Sequence, residues 1–482
     1  MIPWWAMVIL LFGANSTLWG SIGFARLAEW QVRGARSRRR PPGRHAAAGR
    51  GPEAGDTEDT EDTEDTVIPL RADARGHRPG NLTVRDVAVL IAAHNESVVI
   101  SESLAAIVQL VPRENVHVVS DGSTDNTAAL AEAAGVNVMQ TETNLGKAGA
   151  LSAAIRRFGL VEKFAVVMLL DADTRVQPGY FSSALPLFDD PKVAAVAGCV
   201  RTMWERKLSA IGTLLVAHRT RVYSMAQRVL KFGQTYARVN ATYIVPGFAS
   251  MYRTDVLPHI DINPPGLVIE DFNMTFELYQ KQLGKVGFSL GAVAVTQDPD
   301  TFRDYLKQTK RWALGLWQTV RRHPPRANLF SVMLALLLIE LLTSSLLFLC
   351  LPLLVLILLL PDFYASVVTL PVFGPVHAAI AGYVNLPDLF YGIVLPDVAL
   401  TLLVTVVERR PRLLLGTMFF LFLRVFDAGI ALYTLPLAWF TTSNGRWTSP
   451  TRRALTTEDE DPEIIEQNGE TAHAIARGAR AG

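Results

Sequence analysis

Apolar and polar positions divide the chain into long hydrophobic blocks near its two ends and a stretch of short alternating runs between them. Residues 3–27 carry almost no charge and are long enough to cross a bilayer. The basic run that follows, Arg33, Arg38, Arg39, Arg40 and Arg44, places the downstream residues in the cytoplasm. No basic segment precedes this block and no small-x-small pattern follows it, so an uncleaved anchor is expected rather than a signal peptide. From about Asp86 onward, β-branched runs at 87–92, 116–120, 136–140 and 164–170 read as strands. The segments between them, 96–109, one ending at Ala133, and 148–158, read as helices. Alternation of this kind predicts an α/β fold with a mostly parallel sheet and helices on both faces. Further on, 302–320 has helical spacing, and 329–360, 384–407 and 413–440 are apolar enough to be spans. Residues 363–383, broken by Pro and Gly, read as an external interfacial segment.

Composition agrees with a partly embedded protein. Of 482 residues, 50% are hydrophobic and 19% charged, and the net charge of +1 points to no particular partner, nucleic acid included. Cys199 and Cys350 are too few for a disulfide framework and lie near no His cluster, which argues against a zinc site or thiol nucleophile. The acidic repeat from Asp56 to Thr66, flanked by Pro, Gly and Arg, cannot bury enough surface to fold and reads as a solvated spacer rather than an ion trap. The expected organisation is an N-terminal transmembrane helix (1–30), a disordered linker (31–82), a cytoplasmic α/β domain (83–300) and an interfacial helix (301–326). A transmembrane region of about three spans (327–441) and a largely disordered tail (442–482) complete it.

Candidate chemistry sits at strand ends. Asp171-Ala172-Asp173 closes the 164–170 run, where adjacent carboxylates can hold Mg²⁺ or Mn²⁺ against a diphosphate. Asp298-Pro299-Asp300 and Asp459-Glu460-Asp461 have the same spacing but follow no recognised strand, so the spacing alone decides nothing. The turn Asp121-Gly122-Ser123-Thr124-Asp125 ends another strand, and Asn144-Leu145-Gly146-Lys147 opens a helix. Each is also an ordinary βα loop when taken singly, yet alternating units of one sheet bring both to a common edge. Further along come Glu270-Asp271 and Gln308-Thr309-Lys310-Arg311-Trp312.

The array His94-Asn95-Glu96, Ser120-Asp121-Gly122-Ser123, Asn144-x-Gly146-Lys147, Asp171-x-Asp173, Glu270-Asp271 and Gln308-x-x-Arg311-Trp312 resembles the membrane-bound family 2 glycosyltransferases. These include the synthases of hyaluronan, chitin, cellulose and poly-N-acetylglucosamine. The resemblance runs from about Val87 to Gln318 and implies a GT-A fold, a nucleotide-diphosphate sugar, expected to be a UDP-sugar, a divalent cation, and inversion to a β-linkage. By position it implies that Ala93 (or Ala92), Glu96, Asp121 and Lys147 face the nucleotide, and that Asp171 and Asp173 hold the donor, with Asp173 the metal ligand. Asp271 would be the general base, since an inverting displacement needs a carboxylate to take the acceptor proton, and Glu270 would support it. Arg311 and Gln308 would stabilise the departing diphosphate, and Trp312 would offer its face to the acceptor sugar. Trp312 and Trp317 also fit a pair of membrane-surface anchors.

Departures from the family pattern occur at Ser120, Ser152, Ile269 and residues 218–223, and none removes a catalytic group. Pro246-Gly247 with Arg253 fits either an acceptor-side loop or a structural turn. The implied partners are the donor, a glycan or lipid acceptor and the bilayer, with a homo-oligomer or an export subunit also compatible. Three activities stay open: growth and export of a β-linked glycan, addition of a single sugar to a lipid, and a catalytically silent scaffold. Membrane topology carries a conflict. Four spans leave the tail outside, whereas Arg446, Arg452 and Arg453 beside the last span argue for inside. Arg424 and Asp427 within that span call for pairing, a channel or an interfacial placement.

Overall fold

The computed structural model describes residues 4–38, 82–204, 208–443 and 445. Most of the linker and the tail, including Arg446, Arg452 and Arg453, lie outside the described residues. The strands are β1 (Val87–Ala93), β2 (Val116–Asp121), β3 (Asn137–Thr141), β4 (Val166–Asp171), β5 (Thr174–Val176), β6 (Val193–Thr202), β7 (Ala249–Arg253) and β8 (Lys285–Thr296). They form one sheet in the order β3-β2-β1-β4-β7-β6-β8-β5. Neighbours β3, β2, β1 and β4 are parallel, as are β6 and β8, while β7 and β5 run against their neighbours. The sheet is therefore mixed and mostly parallel, as expected.

Both faces of this sheet are buried, which explains the near-continuous apolar runs of its central strands. Along β1, Val87, Val89, Ile91 and Ala93 enter one core and Ala88, Leu90 and Ala92 the other. The first core is closed by α2 (Ile100–Ile107), the second by α4 (Lys147–Phe158), with α3 (Thr127–Ala133) beside them. Helix α2 is shorter than the 96–109 segment read from sequence. Asn95 takes a left-handed conformation, and the carbonyl of Glu96 accepts from both Val99 and Ile100 N–H, so the chain turns before it coils.

Further helices are α1 (Trp4–Arg38), α5 (Ala210–Met225), α6 (Glu270–Gln280), α7 (Phe302–Arg322), α8 (Leu329–Phe363), α9 (Leu395–Glu408) and α10 (Thr417–Phe440). Three helical segments among the described residues are long and apolar enough to cross a membrane: Leu329–Phe363, Leu386–Glu408 and Pro411–Phe440. The intervening 363–383 region is a 3₁₀ turn and a short helix, not a span. Helix α1 has non-helical backbone at Gly13, where the N–H of Asn15 and the hydroxyl of Ser16 donate to Glu340 of α8. Farther along α1, Arg26 donates to the carbonyls of Phe232 and Phe288.

The charges inside the last span are paired. Arg424 donates to Asp397 of α9 at 2.9 Å, and Arg221 of α5 donates to the same Asp397 oxygen. Asp427 accepts from the Tyr305 hydroxyl of α7 at 2.7 Å and lies 3.4 Å from His218 of α5. Trp317 is not a lipid-facing anchor: it is buried, with its indole N–H on the carbonyl of Ala431.

Candidate active site

The ends of β1, β2 and β4 converge on one edge. Ala93 is buried at the end of β1, and the backbone N–H of the buried Glu96 donates to Thr127 Oγ1 at the start of α3. The loop after β1 is laced to the turn after β2. Asn95 Oδ1 accepts from Thr124 N–H at 2.8 Å, and a His94 ring nitrogen lies 2.6 Å from the carbonyl of Asp121. Asp121 itself is 0% exposed. One of its oxygens accepts from Leu145 N–H at 2.8 Å and Thr141 Oγ1 at 2.9 Å, while the other has no hydrogen-bond partner among the described residues. A buried carboxylate oxygen without a donor is costly, and a ligand N–H or O–H is the natural remedy. Gly122, at φ 59, is required here: a Cβ would meet the Asn144 backbone at 2.7 Å.

Lys147, the first residue of α4, gathers the acidic groups. Its ammonium stands 2.7 Å from Asp171 Oδ1 and 3.1 Å from Glu270 Oε1 and donates to the carbonyl of Gly247 at 3.4 Å. These partners, Asp171 first, hold the ammonium protonated far above its ordinary range despite burial. Glu270 and Asp271 open α6, where the helix N-terminus favours negative charge. Asp271 accepts from its neighbour Phe272 N–H at 2.7 Å and from Gly247 N–H at 3.4 Å. Burial, and next the adjacent Glu270, pushes the Asp271 carboxyl up to about 6, with Lys147 opposing both. A buried carboxyl tuned towards neutrality suits a general base.

Asp173 is buried one turn beyond β4, accepts from the Thr174 hydroxyl, and is close enough to push the Tyr223 phenol upward, behind the larger effects of burial and Asp298. With Asp171 it offers an all-oxygen donor set, and no group of three His, Cys, Asp or Glu side chains converges among the described residues. Two carboxylates fit a hard cation such as Mg²⁺ or Mn²⁺ that completes its shell with substrate phosphate and water.

Gln308, Arg311 and Trp312 lie half-buried on α7. Gln308 Oε1 accepts from Arg219 Nη2 at 3.1 Å, and the Arg219 guanidinium lies 4.5 Å from the Trp312 ring centroid. Trp312 also packs against the apolar cluster that includes Ile269, Phe272 and Phe276, linking α7 to the helix that carries Asp271. Gly247 joins the site through Lys147 and Asp271, but Arg253 does not. Its guanidinium is spent on the carbonyls of Val193 and Phe188, which makes it structural.

Sequence reasoning missed three residues. Arg219 and Tyr223, four apart on α5, face the site, and Tyr223 donates to Asp298 Oδ1 at 2.8 Å. Asp298, set aside with its D-x-D spacing, is buried just past β8. The available signals were a His-Arg-Thr-Arg run inside an otherwise apolar helix and a carboxylate closing an unrecognised strand.

The family model described as Glycosyl transferase family group 2 matches residues 166–384. The poly-beta-1,6-N-acetyl-D-glucosamine synthase of Staphylococcus epidermidis is 26% identical over 254 residues, covering 49% of this chain and 58% of that protein. The enzyme of the same name from Staphylococcus aureus (strain COL) is 27% identical over 235 residues, covering 48% and 54%. The chain thus spans little more than half the length of these curated relatives. Among solved structures, mannosyltransferase PcManGT from Pyrobaculum calidifontis, in complex with GDP-Man and Mn²⁺, aligns over 74% of this chain and 89% of its own at 17% identity and a TM-score of 0.41. Glucosyl-3-phosphoglycerate synthase from Mycobacterium tuberculosis, in complex with phosphoglyceric acid, aligns over 52% and 88% at 19% identity and a TM-score of 0.33.

Proposed function

We propose that the chain, whose residues 166–384 match the model described as Glycosyl transferase family group 2, moves a sugar from a UDP-sugar to a growing β-linked glycan, with inversion, at the cytoplasmic face of a membrane. The sugar most strongly suggested is N-acetylglucosamine, the unit named in the curated relatives. The observation that carries the reading is the Lys147 bridge, which ties the donor carboxylate Asp171 to the Glu270-Asp271 pair through contacts of 2.7 and 3.1 Å. Donor site and base site are thereby one electrostatic unit.

The unpartnered Asp121 oxygen would accept from the nucleotide, with Ala93 and Glu96 walling that end. Asp171 and Asp173 would hold a Mg²⁺ or Mn²⁺ ion, which supplies charge neutralisation for the donor diphosphate. Asp271, ionised above about pH 6, would take the proton of the acceptor hydroxyl as its oxygen attacks the anomeric carbon. Glu270 stays on Lys147 and keeps that cation at the site. Arg311 carries no ion pair among the described residues and would meet the negative charge leaving with the nucleoside diphosphate. Trp312 presents an aromatic face to the acceptor.

Purified full-length protein, supplied with a panel of radiolabelled UDP-sugars led by UDP-N-acetylglucosamine with and without Mn²⁺, tests this. Release of UDP with a lengthening polymer supports the proposal. A product stopping at one sugar on a lipid replaces it with single-sugar transfer, and no turnover with any donor leaves a scaffold.

A further inference from the structure

Arg219 is 4% exposed in the middle of α5, an expensive place for a guanidinium unless it is well used. Its Nη2 donates to Gln308 Oε1 at 3.1 Å and to Thr309 Oγ1 at 2.9 Å. Its guanidinium centre lies 4.5 Å from the ring centroids of both Tyr305 and Trp312. Positions 305, 308, 309 and 312 follow the i, i+3, i+4, i+7 pattern, so a single side chain covers one face of α7 over two turns. The planar fork and flat face of arginine meet these four partners together, which lysine cannot do.

A second set of contacts reaches the last of the candidate spans. The Tyr305 hydroxyl donates to Asp427 Oδ1 at 2.7 Å, and the other Asp427 oxygen is 3.4 Å from Nε2 of His218, the residue preceding Arg219. Asp427 belongs to α10, the last of the candidate spans. Arg219, Tyr305, Asp427 and His218 therefore close a ring through α5, α7 and α10. Fixing 308 and 312 on one helix also fixes the direction in which Arg311 projects.

We propose that Arg219 is the positioning residue of the Gln308–Trp312 segment, and that Asp427 of the last span holds Arg219's stacking partner Tyr305 in place. The membrane half of the chain thereby sets the alignment of Arg311 and Trp312 against Asp271. The proposal rests on the transferase reading of those residues but concerns contacts that exist before any donor binds.

The test uses full-length protein in detergent and the variants Arg219→Lys, Tyr305→Phe and Gln308→Ala. Arg219→Lys keeps the charge and loses the fork, and is expected to lower kcat roughly 100-fold while the donor KM moves less than about threefold. Tyr305→Phe keeps the ring and loses the hydroxyl's link to Asp427 together with its contact to Thr309, with an expected loss of roughly tenfold in kcat. Arg219→Lys combined with Gln308→Ala should be no worse than Arg219→Lys alone, because both break one unit. Emission of Trp312, isolated as the difference from a Trp312→Phe background, should shift in both Arg219→Lys and Tyr305→Phe without donor. Unchanged emission, additive losses, or an effect on KM alone would overturn the proposal. If Arg219→Lys does not fold, Tyr305→Phe decides it by the same two readouts. If the wild-type protein is silent with every donor while the two variants still show the emission shifts, the transferase reading is refuted and the clamp stands.

Discussion

Replacing Lys147 by Met separates the electrostatic role of the bridge from its bulk. In the native site this ammonium lies 2.7 Å from Asp171 and 3.1 Å from Glu270 and is the one influence among burial, Glu270 and itself that draws the Asp271 carboxyl down. Without it, burial and Glu270 are opposed only by the backbone N–H groups of Gly247 and Phe272. A nearby opposite charge shifts a carboxyl by roughly one to three units. The smallest of these shifts moves Asp271 from about 6 to about 7. The ionised fraction then falls from roughly nine-tenths to one-half at pH 7, and from one-half to roughly one-tenth at pH 6. The acid limb of kcat/KM, which reports the free enzyme, should therefore rise by at least one unit when measured from pH 5 to 9 by UDP release. A limb that stays near 6 or moves down refutes the assignment of Lys147 as the group that tunes the base. Stability follows the same signs. The Asp271 carboxyl, raised in the fold, favours the folded state below about pH 4, and that contribution is lost as pH rises from about 4 to about 6. The Lys147 contribution is present throughout this window, because its raised protonation persists well above neutrality. The variant should therefore melt lower than wild type at pH 7.

Asp271→Asn should abolish transfer, by roughly 1,000-fold or more, while UDP affinity measured by calorimetry stays within about threefold; retained transfer removes Asp271 as the base. Gly247→Ala places a Cβ 3.1 Å from Lys147 Nζ and 3.2 Å from Glu270 Oε1. Both are ends of flexible side chains, so kcat should fall several-fold with a melting temperature changed by only about a degree or two. Asp397→Ala strips a fully buried carboxylate from between Arg221 and Arg424. Leaving two guanidinium groups unpaired should cost about 3–5 kcal/mol, read as a large drop in the thermal unfolding midpoint of the detergent-solubilised protein.

Strands β1, β2 and β4 were legible because their runs are rich in Val, Ile, Leu and Met and are buried on both faces. Strands β6, β7 and β8 were not, for physical reasons. The β6 run is Ala- and Gly-rich, β7 holds only five residues, and β8 is interrupted by glycines, so none shows a clear β-branched block. Missing β8 had a direct consequence at the site: Asp298, a strand-end carboxylate like Asp171, was set aside because its strand was unseen. Glu270, Asp271 and Lys147 were identified as separate elements, but nothing local says that residues over a hundred positions apart share one ammonium. Arg219 went unnoticed because its partners lie about ninety positions downstream. The charges at 424 and 427, within the last candidate span, did announce a need for partners. That those partners sit on α5, α7 and α9 is a tertiary fact.

The salt bridge between Arg221 and Asp397 bears on how this chain can be divided. Excising the sheet domain at the end of α7 would leave Arg221 and His218 facing solvent or detergent without their acidic partners, and would strip Asp427 from Tyr305. A soluble catalytic fragment therefore calls for redesign of α5 and α7, beyond a well-chosen boundary. Grafting the spans of a relative onto this domain faces the same requirement, since a donor helix must bring carboxylates at the depths of Asp397 and Asp427. Modularity ends at those two aspartates: the sheet domain and the apolar helices are exchangeable only as a matched pair.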